Sequence, residues 1–294
     1  MKRILLFVAT NMAILAVISV VMRIFGFDGY LTANGLDYKA LAVFSLLWGS
    51  VGSFISLAIS KWMAKRSMGV QVIETPSNAN EQWLIDTVRQ QAESANIGMP
   101  EVGIFPSQQP NAFATGWNRN SALVAVSVGL LRSMSKNEVR AVMAHEIAHV
   151  ANGDMVTLTL IQGVVNTFVI FFSRIIGHFV DRVILKNNSG HGIGYFISSM
   201  VAQVVLGMLA SSIVMWFSRY REYRADEGGA KFADRDSMIS ALESLKRGSN
   251  VENDMPATMQ AFGISEGMRS GLAAMFASHP PLDVRIEALR KLPG

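Results

Sequence analysis

The chain has 294 residues, half of them hydrophobic and only 16% charged, which is too apolar for an ordinary soluble domain and points to a membrane protein. It has no cysteine, so disulfides, thiolate catalysis and Cys-ligated zinc are excluded. Its net charge of +4 suits basic clusters beside anionic lipid, and no basic stripe interleaved with aromatics calls for nucleic acid as a partner.

Four stretches lack Asp, Glu, Lys, Arg and His: residues 4–22, 40–60, 155–173 and 192–218. At a rise of about 1.5 Å per residue, even the shortest nearly crosses the roughly 30 Å hydrocarbon layer as a helix. The first follows Lys2 and Arg3, is long for the apolar part of a signal peptide and lacks a clean cleavage site, so it reads as a retained anchor. Lys61, Lys65 and Arg66 follow the second, and Arg219, Arg221 and Arg224 follow the fourth. These basic clusters belong on one side, which places both termini and the region between the second and third spans in the cytoplasm. The loop over residues 174–191 then faces outward, although it carries Arg174, Arg182 and Lys186. The division expected is a first transmembrane hairpin at 1–66, a soluble piece at 67–154, a second hairpin at 155–218 and a second soluble piece at 219–294.

The first soluble piece begins with an amphipathic helix expected at 81–95 and a strand at 101–105. It continues with "NAFATG" (111–116), a polar turn at 118–121 and the β-rich "ALVAVSVGLL" (122–131). Two extended segments around a polar turn predict a hairpin, and an exposed edge strand there could hold an extended peptide by main-chain hydrogen bonds. A helix follows, started by a capping box at Ser135 and Glu138 and stopped near Asn152 and Gly153. It carries "AVMAHEIAHVANGD" (141–154). His145 and His149 lie four apart, so they share a helix face and can bind one ion. Glu146, one step round, can reach a water beside that ion, as in the H-E-x-x-H pattern of zinc peptidases.

Two histidines leave a catalytic zinc site short of one protein ligand. "SRYREYRADEGGA" (218–230) offers Glu222, Asp226 and Glu227 just past the fourth span. Glu222 and Asp226 share a helical face. Glu222 is assigned as third ligand and Asp226 as the carboxylate that orients a ligand histidine through its other nitrogen. A membrane hairpin between His149 and Glu222 would bring the two together. Further helices are expected at 234–246 and 281–291, the latter within "SHPPLDVRIEALR" (278–290). There His279, with Arg285 nearby, either donates to a developing oxyanion or caps a helix.

In this order, "NAFATG", "HEIAHVANGDM", "TLIQGVVNTFVIF", "MWFSRYREYRAD" and "SHPPLDVRIEALR" resemble the HtpX family of bacterial heat-shock membrane metalloproteases, within the zinc protease family that also includes the CAAX prenyl protease. The resemblance implies a mainly α membrane protein, with four transmembrane helices and a cytoplasmic α+β zincin-like, gluzincin-type protease domain. It implies a zinc endopeptidase of the bacterial inner membrane that removes misfolded membrane or cytoplasmic proteins, with one Zn2+ per chain held by His145, His149 and Glu222. It further implies Glu146 as catalytic base, a transition-state role for His279 and Arg285, and a substrate border around Asn111. The competing classes are an intramembrane protease, a transporter, and a membrane scaffold or binding protein with a structural metal site. Lys136, Glu138 and Arg140 on the histidine helix oppose the first, and spans free of ionisable residues oppose the second. Open coordination separates the enzyme from the third.

Overall fold

The computed structural model describes residues 12, 16, 19, 20, 23, 24, 35–188, 190–248 and 279–292. The apolar stretch at 4–22, read above as a span, lies outside the described residues except at four positions. In chain order the elements are α1 (Tyr38–Met68), β1 (Gln71–Val72), α2 (Ala79–Ser94), β2 (Glu101–Phe105), β3 (Ala112–Gly116), β4 (Ala122–Ser127), α3 (Val128–Ser133) and α4 (Lys136–Asn152). They continue with α5 (Asp154–Phe179), running on into a π-helical Val180–Ile184, then α6 (Ile193–Phe232), α7 (Arg235–Gly248) and α8 (Leu282–Arg290). Helices α1, α5 with its π-helical extension, and α6 are long and apolar enough to cross a membrane.

The chain divides into two compact units. The first comprises Met1–Ile55 and Thr159–Val214. Within it α1 and α5 approach closely, because a Cβ on Gly49 would lie 2.7 Å from the Thr167 backbone nitrogen. Small residues at such a crossing allow helix backbones to pack without a hydrophobic drive between them. Leu36, Tyr38, Ala42 and Phe171 form a buried cluster in this unit.

The second unit, Ser56–Leu158 and Met215–Gly294, contains a four-stranded sheet of order β1-β2-β4-β3. β2 runs parallel to β4, while β3 pairs antiparallel with β4 in the expected hairpin and has no strand on its other edge among the described residues; every residue of β3 is buried, so the exposed edge strand expected from the sequence is not what the structure shows. α2 and α4 supply Leu84, Val88, Val142, Met143 and Ile147 to the main core, where they meet Val124 and Val126 of β4 and Met238 and Leu242 of α7. The β-rich run does not extend to Leu131: it ends at Ser127, whose hydroxyl caps α3 by accepting from Leu130 N–H at 2.9 Å. Gly129 there abuts the Gln108 carbonyl, where a Cβ would come within 2.0 Å, so packing against that loop, rather than propensity, sets the local backbone.

The histidine helix forms as its termini dictate. Ser135 and Glu138 make the reciprocal capping box, and Gly153 takes the left-handed conformation that closes the C-terminus. Glu138 also accepts from Ser240 at 2.7 Å and Ser244 at 2.5 Å, which ties the start of α4 to α7.

Candidate metal centre

α4 presents His145 and His149 with their rings perpendicular and their Nε2 atoms 3.2 Å apart. Glu222 of α6 faces both, with Oε2 3.6 Å from His145 Nε2 and Oε1 3.3 Å from His149 Nε2. The three residues offer ligand atoms that all lie within 4.8 Å of one another, and all three are buried. α6 comes this close because Gly228 faces α4: a Cβ there would sit 2.4 Å from the Ala148 Cβ.

The opposite side of each imidazole is also held. Asp226 Oδ1 lies 2.9 Å from His145 Nδ1, so one turn of α6 delivers both the facing carboxylate and the orienting one. Asp154, the first residue of α5, lies with Oδ2 2.7 Å from His149 Nδ1. Periodicity does not reveal Asp154, because it follows the left-handed turn at Gly153, off the helical register; the acid directly after that stop is the signal available. Arg285 of α8 is completely buried and binds Asp226 through two bonds of 2.8 and 2.7 Å, with Nη1 also 3.4 Å from Glu222 Oε2. Bidentate pairing of this kind fixes both planes. Arg285 therefore lies behind the carboxylates and braces them. His279, ahead of α8, places Nδ1 2.7 Å from Glu222 Oε2, while its buried Nε2 has no hydrogen-bond partner among the described residues.

Glu146 is buried beside this cluster, next to Ala114 of β3, whose backbone N–H favours its charged form. The base candidate therefore lies beside β3. Asn111 is also fully buried, at the entry to β3, where its N–H donates to Ser127 Oγ at 2.9 Å and its side-chain oxygen accepts from Ala112 N–H. The structure thus brings His145, Glu146, His149, Glu222, Asp226, His279 and Arg285 together and places Asn111 at the head of β3.

Charge balance tests whether a metal fits. With each Nδ1 facing a carboxylate, two neutral imidazoles direct their Nε2 lone pairs at each other and at Glu222. Three buried carboxylates, Asp154, Glu222 and Asp226, face this pair of rings. A divalent cation in contact with both Nε2 atoms relieves the lone-pair repulsion and balances part of this negative charge. Protons give the same indication. Burial pushes His145 down to about 4, against its contact with Asp226. Burial also opposes charge on His149, yet the Glu222 charge and the bonds to Asp154 and Glu222 raise it to about 9. Burial lifts Glu146 to about 8, with the His149 charge opposing and the Glu222 charge adding. A proton on His149 occupies the electrostatic role that a cation would take.

A family model described as Peptidase family M48 matches residues 78–293. The Protease HtpX homolog of Thiobacillus denitrificans is 62% identical over 290 residues, covering 99% of each chain. Protease HtpX of Hahella chejuensis is 60% identical over 289 residues, covering 98% of this chain and 99% of that one. Protease HtpX of Pseudomonas putida is 59% identical over 293 residues and 99% of each. In fold, the chain is similar to the crystal structure of S. mikatae Ste24p, with a TM-score of 0.62 at 20% identity, over 97% of this chain and 67% of that one. Together with the apolar helices and the buried His-His-Glu group, these matches establish that the chain belongs to peptidase family M48 and is a membrane metalloprotease.

Proposed function

We propose that this protease is a zinc endopeptidase of the bacterial inner membrane that cleaves cytoplasmic regions of misfolded or damaged membrane proteins. The convergence of His145, His149 and Glu222, with Asp226 and Asp154 at the far nitrogens, carries this conclusion. Those three would hold one ion per chain. Two imidazoles and one carboxylate, with a coordination position left for water, are the donor set of catalytic zinc. When bound, the ion supplies a Lewis acid that polarises the scissile carbonyl and acidifies water.

The remaining steps belong to the chain's own side chains. Glu146 takes the proton of the attacking water and delivers it to the leaving amine nitrogen, and a carboxyl lifted by burial is matched to both transfers near neutral pH. His279, held with Nδ1 toward Glu222, donates from Nε2 to the developing oxyanion. Asp226, braced by Arg285, and Asp154 keep the two ligand rings in position. β3, which lies beside Glu146 and has no strand on its other edge among the described residues, would border an extended substrate near Asn111.

In the membrane, residues 4–22 would add a fourth span to α1, α5 and α6. The basic clusters at the span ends support cytoplasmic termini and a cytoplasmic site. The soluble pieces 67–154 and 219–294 together would form the gluzincin-type domain, between hairpins at 1–66 and 155–218. The test compares wild type with Glu146→Gln, in zinc content and in cleavage of a denatured membrane protein. The variant is expected to keep zinc and lose about 10²–10⁴-fold in kcat/KM; undiminished cleavage contradicts the assignment.

A further inference from the structure

We propose that the turn joining β3 to β4 is a docking surface for the lipid headgroup layer, with Trp117 as its anchor. Outside α1, α5 with its π-helical extension, and α6, three large apolar side chains are well exposed in the second unit among the described residues: Met99, Trp117 and Val284. Trp117 is the most exposed of them, at 59%. Indole has an apolar body and a polar N–H, a combination that favours the membrane–water boundary. The turn that presents it is held in shape. Asn118 Oδ1 accepts from Asn120 N–H at 2.7 Å, the Asn118 carbonyl accepts from Ser121 N–H at 3.2 Å, and Gly98 N–H donates to Asn120 Oδ1 at 3.0 Å.

The level of this turn follows from what it is tied to. Arg119 Nη2 donates to the Ala151 carbonyl at 3.1 Å, at the end of α4. Ala151 lies only four residues ahead of the apolar run that begins at Met155, across the left-handed turn at Gly153, so at most about 14 Å of chain separates it from the start of that run. Arg224, just past the apolar run of α6, donates to Asn152 Oδ1 at 3.4 Å. The turn is therefore fixed to the junction where α4 hands over to the membrane helix α5, and α6 leaves the bilayer beside the same junction. Arg119 and Arg224, both exposed, supply positive charge that anionic headgroups attract. Trp62 on α1 and Trp216 and Tyr220 on α6 are exposed near the basic span ends and make an aromatic belt, to which Trp117 adds from outside the spanning helices. This inference depends on the membrane and on none of the metal chemistry.

The experiment uses the full chain reconstituted in phosphatidylethanolamine and phosphatidylglycerol vesicles. The emission difference between wild type and Trp117→Phe isolates this indole from the other tryptophans. In vesicles of lipid brominated near the headgroup, the Trp117 emission is expected to fall by about half or more, with weak quenching by aqueous iodide. Emission indifferent to brominated lipid and quenched by iodide overturns the proposal. Because the chain has no native cysteine, Trp117→Cys carrying a nitroxide gives a second reading. It should collide more with oxygen and less with a nickel chelate than Gln90→Cys on the exposed face of α2; identical collision profiles overturn the proposal. Loss of soluble casein cleavage in Trp117→Phe, with no lipid quenching in wild type, overturns it in favour of a substrate contact.

Discussion

At the scale of single residues, the site is made by what stands behind its ligands. Asp154 holds His149 at 2.7 Å, and Asp154→Ala is expected to weaken zinc affinity by about 10–100-fold, as a chelator competition would measure; unchanged affinity would deny the aspartate this role. His149, raised to about 9 in the metal-free protein, carries a proton at neutral pH that a metal must displace. Zinc affinity should therefore fall as pH drops below about 9, by up to about tenfold per unit, and a flat pH profile would contradict this. His145, Glu146 and His149 were legible from their spacing on one helix, and Glu222 from its position just past the apolar run of α6. Asp154 was not, since a left-handed turn separates it from the helix. The approach of Ala114 in β3 to Glu146 was equally hidden, because it depends on where a strand lies in space.

At the scale of elements, α4 is held at both ends and by its neighbours. The Glu138 carboxylate caps its own helix and binds two serines of α7. Burial opposes its charge, but the bonds from Ser244, Ser135 and Ser240 hold its carboxyl down at about 2. A carboxyl held below its unfolded value of 4.5 contributes stability that is complete above that pH and lost as pH falls toward about 2. Glu138→Ala should cost about 1–3 kcal/mol at neutral pH, and its Tm deficit against wild type should shrink below pH 4.5; a pH-independent deficit would point to lost packing instead. Gly228 permits the close approach of α6, so Gly228→Val should force the helices apart at a cost of about 1–3 kcal/mol and weaken zinc binding. The caps of α4 were readable because Ser135, Glu138 and Gly153 act locally. The strand read through to Leu131 breaks at Ser127 because contact with the loop at Gln108 outweighs the β propensity of the run.

At the scale of the whole molecule, three long apolar helices were visible from composition, since the absence of charge over a span length is a property of the sequence itself. The parallel pairing of β2 with β4 was not visible, because it joins strands that are not neighbours in sequence. The orientation inferred from basic clusters makes a separate prediction. In a cysteine-free chain, Asn188→Cys, between α5 and α6, and Gln90→Cys, in α2, should be labelled by an impermeant maleimide from opposite sides of the membrane. Labelling from the same side would overturn the proposed topology.

The central claim is that α4 and α6 together hold one ion through two imidazoles and Glu222. Metal content of purified Glu222→Ala, measured beside wild type and Glu146→Gln, tests it most directly. About one zinc per chain is expected in wild type and Glu146→Gln, and a large loss in Glu222→Ala; full occupancy in Glu222→Ala would contradict the claim.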